Sequence, residues 1–297
     1  MPARDRECLK AIVTVADDGG SSGRLRESYR LPSPGDIRNC LLALAEDDSA
    51  LAAIFGFRFN GKSDVGGHSL GNLILTALHQ LERDFSAAVE RGGEMLGIRG
   101  YVLPSTDESV TLRAEYEDGS RMEGETRIAS VRRPIRRLSI EPERARALPQ
   151  AREAVGAADL IVIGPGSLYT SLIAPLLLRD LGDDIAQSAA RVVFVMNLMT
   201  QPGESDGYTA ADHLVALRRH VPGIPIHSVI LNTAPVPPEA AAYYGAQGST
   251  AVATDAELLR TMGCQTVEED LLGEGIQVRH DPGKLADAIL ALAVESR

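Results

Sequence analysis

The stretch Ala11-Ile-Val-Thr-Val-Ala-Asp-Asp-Gly-Gly-Ser-Ser-Gly-Arg24 constrains the fold more than any other part of the chain. Its apolar, β-branched opening, Ala11 to Ala16, reads as a buried strand. The strand runs directly into two carboxylates, Asp17 and Asp18, then Gly19, Gly20, Ser21, Ser22 and Gly23, then Arg24 and Arg26. Glycines let backbone N–H groups approach an anion closely, and guanidinium groups grip phosphate through paired hydrogen bonds. Carboxylates at a strand end take sugar hydroxyls or a divalent cation. A Gly/Ser run alone is a flexible turn. Between a strand and two arginines it is read as a site for a small, polar, phosphorylated ligand.

The same pattern recurs along the chain. Asp159 to Ile163 is a predicted strand followed by Gly164-Pro-Gly-Ser-Leu-Tyr-Thr-Ser171, in which Gly164, Gly166 and Ser167 are candidate anion contacts at the start of a helix. This loop lacks the lysine of a P-loop, which excludes that class of nucleotide hydrolase. Val192 to Met196 is the next strand, closed by a loop rich in amides, hydroxyls and carboxylates that runs to Thr209. Ile226 to Leu231 is another, ending at Asn232, and shorter extended pieces are expected at 251–255 and 276–281. In a parallel α/β sheet such strand ends share one edge, where ligands bind. The expected fold is therefore α/β and Rossmann-like, three layers around a parallel sheet. Residues 98–140 change character around an Asp118-Gly119 turn, with Met122 to Ile128 read as a returning strand. They are read as a small antiparallel β insertion within one domain spanning 1–297.

Two more polar loops lead into helices. Asp36 is the expected N-cap of a helix with Ile37, Cys40, Leu41 and Leu44 on one face. That places Arg38 and Asn39 in a first turn that favours an anion. Val65-Gly-Gly-His-Ser-Leu-Gly-Asn72 precedes an amphipathic helix. His68 is a candidate acid/base or ligand donor there, set against a merely solvated turn histidine, with Asn72 beside it.

Bulk properties narrow the partners. The 297 residues are 44% hydrophobic, ample for a full core, and the formal net charge of -11 argues against a non-specific nucleic-acid surface. An anionic ligand needs local arginine clusters. Cys8, Cys40 and Cys264 show no metal-like spacing, which points to a reducing compartment without disulfides. The charged opening residues have no apolar signal region, and no apolar run reaches membrane-spanning length. The expectation is a soluble cytoplasmic protein with no membrane insertion.

Six segments carry a resemblance: Val13-Thr-Val-Ala-Asp-Asp-Gly-Gly-Ser-Ser-Gly-Arg-Leu-Arg26, Pro34-Gly-Asp-Ile-Arg-Asn39, Gly67-His-Ser-Leu-Gly-Asn72, Ile163-Gly-Pro-Gly-Ser-Leu-Tyr-Thr-Ser171, Met199-Thr-Gln-Pro-Gly-Glu-Ser-Asp-Gly-Tyr-Thr209 and Arg279-His-Asp281. Together they resemble the YvcK branch of the CofD-like family, the gluconeogenesis-factor proteins. The resemblance implies a cytoplasmic regulator that binds a UDP-sugar such as UDP-N-acetylglucosamine and serves growth and cell shape on gluconeogenic carbon. It implies ribose or diphosphate contacts at Asp17, Asp18, the two glycine loops and Arg38. A sugar pocket at Asn197, Thr200 and Asp206 follows, with further contacts at Tyr244 and Arg279. The alternative is a transferase like the CofD branch, moving phospholactate from a nucleotide-diphosphate-linked donor, with magnesium on Asp17 and Asp18. No cofactor is assigned otherwise, and a homo-oligomer is allowed for. The family opens with a strand and glycine-rich loop upstream of the segment that starts here at Ala11, so a start codon placed too late or a truncated sequence, in preference to real loss, is the expectation for this chain.

Overall fold

The computed structural model describes residues 8–46 and 49–295. In chain order the first half holds β1 (Lys10–Val13), α1 (Gly20–Tyr29), α2 (Gly35–Leu44), α3 (Ala50–Gly56), α4 (Leu70–Glu82), α5 (Phe85–Leu96) and β2 (Tyr101–Pro104). The middle is β3 (Thr111–Tyr116), β4 (Arg121–Glu123), α6 (Glu125–Ser130) and β5 (Ile135–Glu141). Next come α7 (Pro149–Gly156), β6 (Leu160–Ile163), a π-helical turn at Leu168–Ile173, α8 (Leu181–Gln187), β7 (Arg191–Val195) and α9 (Ala210–His220). The last elements are β8 (Ser228–Asn232), α10 (Pro238–Gly245), α11 (Ala256–Thr261), β9 (Gln265–Glu269) and α12 (Pro282–Glu295).

The fold is α/β, as the strand rhythm implies. β6, β7, β8 and β9 form one parallel sheet in that order, and β1 pairs in parallel with β2. β7 shows why the helices must cover both faces. Side chains alternate across a strand, and here both sets are apolar. Val192 and Phe194 join the main core with Val229 and Leu231, while Val193, Val195 and Ile230 join a second core capped by Ala288 and Leu292 of α12. A fully apolar strand between two cores is the middle layer of three.

The antiparallel unit is β4-β3-β5, joined at the expected Asp118-Gly119 turn. It is shorter than the stretch 98–140 suggested, because Tyr101–Pro104 belongs to the parallel pairing with β1. The strand read through Met122 to Ile128 stops at Glu123 and continues as α6. Gly124 turns the chain at φ +92°, and Asp18, over a hundred residues earlier, accepts a hydrogen bond from the Thr126 N–H at 2.9 Å. A distant carboxylate thus caps a helix that local pattern reads as strand.

Three other local expectations change. Gly20 to Gly23 is the first turn of α1, not an open loop. The second helix starts at Gly35 after Pro34, so Asp36 sits inside its first turn instead of capping it. The pieces at 251–255 and 276–281 contribute only isolated bridges, Met199 with Ala251 and Leu272 with His280. The outer strand is Gln265–Glu269, whose polar residues suit an edge position.

Replacing a helical glycine by alanine ordinarily adds up to about 1 kcal/mol of stability. Gly23 reverses that sign, because a Cβ there would lie 2.1 Å from the Asp18 carbonyl oxygen. At Gly156 a Cβ would meet nothing within 4 Å. Denaturant unfolding should show Gly156→Ala at or above the parent and Gly23→Ala lower by roughly 1–3 kcal/mol.

Candidate anion-binding site at the strand ends

The site begins where β1 leads into α1. Asp17 Oδ1 accepts from the Gly19 N–H at 2.8 Å, and Asp17 Oδ2 accepts from Ser33 Oγ at 3.4 Å. Gly35 is needed for close approach: a Cβ there would stand 2.4 Å from Ser22 Oγ and 2.6 Å from Asp17 Oδ2. Arg26 is a structural tie, donating to the carbonyls of Ala16, Asp17 and Val110. It is therefore not one of the anion-gripping arginines.

A buried polar chain runs beside these carboxylates. Ser21 Oγ lies 3.0 Å from His68 Nδ1 and receives Asn72 Nδ2 at 3.2 Å and the Ser69 N–H at 3.4 Å. With two donors arriving, the single serine proton goes to His68 Nδ1, which makes the imidazole a neutral acceptor there. Burial, then Arg24 and Arg58, hold His68 below the usual histidine range, in keeping with that neutral ring. Asn72 Oδ1 in turn accepts Arg38 Nη1 at 2.9 Å, and Asn39 Oδ1 accepts Arg38 Nη2 at 2.7 Å.

Arg38 is 9% exposed, and its Nε is buried without a partner. Among the described residues it makes no ion pair. Burial and the nearby Arg58 push its pKa below that of a free guanidinium, with Asp36 and Asp17 opposing. Arg24 Nη2 donates to the Gly66 carbonyl and Arg58 Nη1 to the Gly67 carbonyl, both at 2.8 Å. Three guanidinium groups thus gather around Gly66-Gly67-His68. Arg58 is the member that sequence reasoning missed. It lies between Phe57 and Phe59, and the backbone pairing of this segment with Gly67 to Leu70 brings it here.

The second half hangs from β6 and β7. Asn197 is locked to Gly166 by two hydrogen bonds, receiving the Gly166 N–H at 3.2 Å and donating to its carbonyl at 2.8 Å. Gln201 Nε2 donates to Ser167 Oγ at 2.8 Å, while Gln201 Oε1 is buried and unpartnered. Glu204 caps the π-helical turn, accepting the Tyr169 N–H and Thr170 Oγ1, each at 3.1 Å. Burial raises its pKa against those bonds. His280 donates to the Met196 carbonyl, and its Nε2 is buried and unpartnered.

The remaining expected contacts fall less centrally. Thr200 is bonded through backbone and hydroxyl to Thr250 and pins that segment down. Asp206 is exposed and accepts the Gly203 N–H at 2.7 Å. The Tyr244 hydroxyl accepts the Val278 N–H at 3.3 Å, and Arg279 is exposed. Gly164 supports the turn ahead of Gly166 at φ +88°.

The antiparallel unit bridges the two halves. Asp18 holds the start of α6, a Cβ on Gly203 would lie 3.0 Å from the Ala129 carbonyl oxygen, and Arg132 donates to the Gln247 carbonyl at 3.2 Å. Glu125, at the head of α6, is pushed up to about 7 by burial, then by Asp17, Asp36, Asp18 and Glu204. The site therefore has a cationic pole at Arg24, Arg38 and Arg58 and an acidic pole around Glu125. Asp17 and Asp18 serve different backbone amides, and among the described residues no three His, Cys, Asp or Glu side chains converge as metal ligands.

Fold and strand-end site together define a Rossmann-like α/β protein. The family model described as 2-phospho-L-lactate transferase CofD matches residues 3–272, and the chain belongs to the CofD-like family, in its gluconeogenesis-factor (YvcK) branch. It is 42% identical to the gluconeogenesis factor of Bacillus subtilis (strain 168), over 97% of this chain and 91% of that protein. It is 45% identical to that of Listeria monocytogenes, over 96% and 88%. A solved structure of an upf0052-family protein from Bacillus halodurans superimposes with a TM-score of 0.92 at 40% identity, covering 97% of this chain and 94% of that one.

The raised Glu125 pKa makes stability depend on pH. The folded state holds the proton to about 7, against 4.5 for the free carboxyl. The stabilising neutral form is fully present below the free value and is lost as pH rises through 7. Thermal or urea unfolding should show Glu125→Gln close to the parent in acid and more stable by about 1 kcal/mol above neutrality, less than the full shift implies because solvent reaches the group.

Proposed function

We propose that the chain is a cytoplasmic regulator that binds a UDP-sugar of the UDP-N-acetylglucosamine type and serves growth and cell shape on gluconeogenic carbon. The observation that carries this reading is the buried Arg38 guanidinium, which has an unpartnered Nε and, among the described residues, no ion pair, Asp36 and Asp17 acting on it only from a distance. A buried charge without a counter-ion is strongly unfavourable, and a diphosphate supplies that counter-ion. Arg58 acts on Arg38, and Arg24 and Arg58 both act on His68. Asp17, beside Gly35, suits a ribose hydroxyl. The orphaned acceptors Gln201 Oε1 and His280 Nε2 suit donors on a base or an N-acetyl sugar. The gluconeogenic part of the proposal draws on the name shared by the relatives, and the cell-shape part on the family resemblance alone.

Binding without turnover is favoured because the polar groups at the cationic pole are spent on one another: Ser21 on His68, Asn72 on Arg38. A transferase is the second reading, supported by Glu125, whose pKa near 7 suits a base for an acceptor hydroxyl. Under the first reading, mass spectrometry recovers the nucleotide sugar intact after incubation with the protein and candidate acceptors. A transferred phosphoryl-linked group would move the conclusion to the second.

Calorimetry tests the binding claim. UDP-N-acetylglucosamine should bind the parent, and Arg38→Met should weaken binding by roughly tenfold to a hundredfold. Arg38→Lys, which keeps the charge but loses the fork, should fall between them. Parent-like binding by an Arg38→Met protein with a normal unfolding transition would remove Arg38 from the site.

A further inference from the structure

A second cleft, of about 800 Å³, opens between β5 and the C-terminal end of α9. Its volume falls in the range of small-molecule sites. It shares no residue with the strand-end site. It also lies at the far end of α9 from Thr209, roughly 15 Å of helix away.

The sequence puts cations there by a specific route. The β3–β5 register slips between Glu115 and Tyr116, so Arg137 faces Glu115 while Ile135 faces Tyr116. A bulge of this kind breaks the inside–outside alternation, and both Arg136 and Arg137 end up exposed. Glu115 is already engaged, by Arg121 at 3.2 Å and Arg136 at 3.3 Å. Arg219, from the last turn of α9, enters the cleft from the other side. Among the described residues neither Arg137 nor Arg219 forms an ion pair.

His220 forms the wall between them without adding charge. Its Nδ1 donates to the Ala216 carbonyl at 2.8 Å, and its Nε2 accepts the Leu138 N–H at 2.9 Å, a pattern that requires the neutral ring. Burial, with Arg219 and Arg137 adding to it, lowers its pKa, so both guanidinium groups act on the same spot. Glu117 and Glu143 also line the cleft. They exclude a polyanion and suit the hydroxyl groups of a compact ligand.

We propose that this cleft is a second ligand site, taking a phosphate monoester with a hydroxyl-bearing body, its phosphate clamped by Arg137 and Arg219. The site is independent of the UDP-sugar reading, since no residue is common to both.

Ribose 5-phosphate is the probe, titrated calorimetrically into the full chain at constant ionic strength, with ribose and sodium chloride as controls. The proposal expects ribose 5-phosphate to bind and both controls to give no heat of binding. It expects Arg137→Ala/Arg219→Ala to lose this binding by tenfold or more, and Arg137→Lys/Arg219→Lys to keep part of it. Both positions are exposed, so these variants fold. Superimposable isotherms for the parent and the alanine pair would overturn the proposal. So would the absence of binding at millimolar ribose 5-phosphate, or equal heats with chloride. UDP-N-acetylglucosamine affinity should be the same in the parent and the alanine pair, which separates failure of this site from failure of the first.

Discussion

A guanidinium group held in the interior, with Asp36 and Asp17 near it but no ion pair among the described residues, is the constraint on which the strand-end site depends. Arg38 is fixed by two amide oxygens, those of Asn72 and Asn39, which satisfy hydrogen bonds but neutralise nothing. Replacing water around a cation by neutral dipoles costs several kcal/mol unless an anion arrives. Asn72 is itself oriented by Ser21, and Ser21 by His68, so one buried chain presets the direction of the charge. A preset cation loses little further freedom when its ligand binds. The acidic pole around Glu125 faces the same loops, and the pair suits a ligand with phosphate at one end and hydroxyls at the other.

The loops of the site are held by side chains acting over long sequence separations. Asp18 caps α6, Glu204 caps the π-helical turn after Ser167, and Asn197 closes on Gly166. Each loop is therefore held by a side chain from a different strand end. The antiparallel unit, through α6 and Arg132, works as a clamp across them. The arrangement explains why polar loops so rich in glycine hold defined shapes.

These long-range caps also explain which features could be read from sequence. The parallel strands were legible because β7 and β8 are apolar on both faces, and a continuous apolar run has few other homes. The glycine, hydroxyl and arginine clusters stood out because they interrupt the apolar runs, although Arg26, Gly23 and Gly35 serve the fold itself. Helix α6 was not, since the partner that turns Glu125–Ser130 helical is Asp18. Edge strand Gln265–Glu269 was hidden by its polarity. Arg58 was hidden by its aromatic neighbours, and the cationic pole is recognisable only once Gly67 folds back to it. Thr200 has a structural task that its own loop does not announce: its hydroxyl accepts the Thr250 N–H and ties that distant segment to the loop.

The proposed phosphorylated ligand rests on the buried Arg38 guanidinium and its unpartnered Nε. The most direct measurement is a crystal structure of the chain with UDP-N-acetylglucosamine bound. The account predicts a diphosphate oxygen within hydrogen-bond distance of Arg38 Nε, with Arg24 and Arg58 turned towards the same group. Nucleotide bound elsewhere, with Arg38 Nε still lacking a partner, would contradict it.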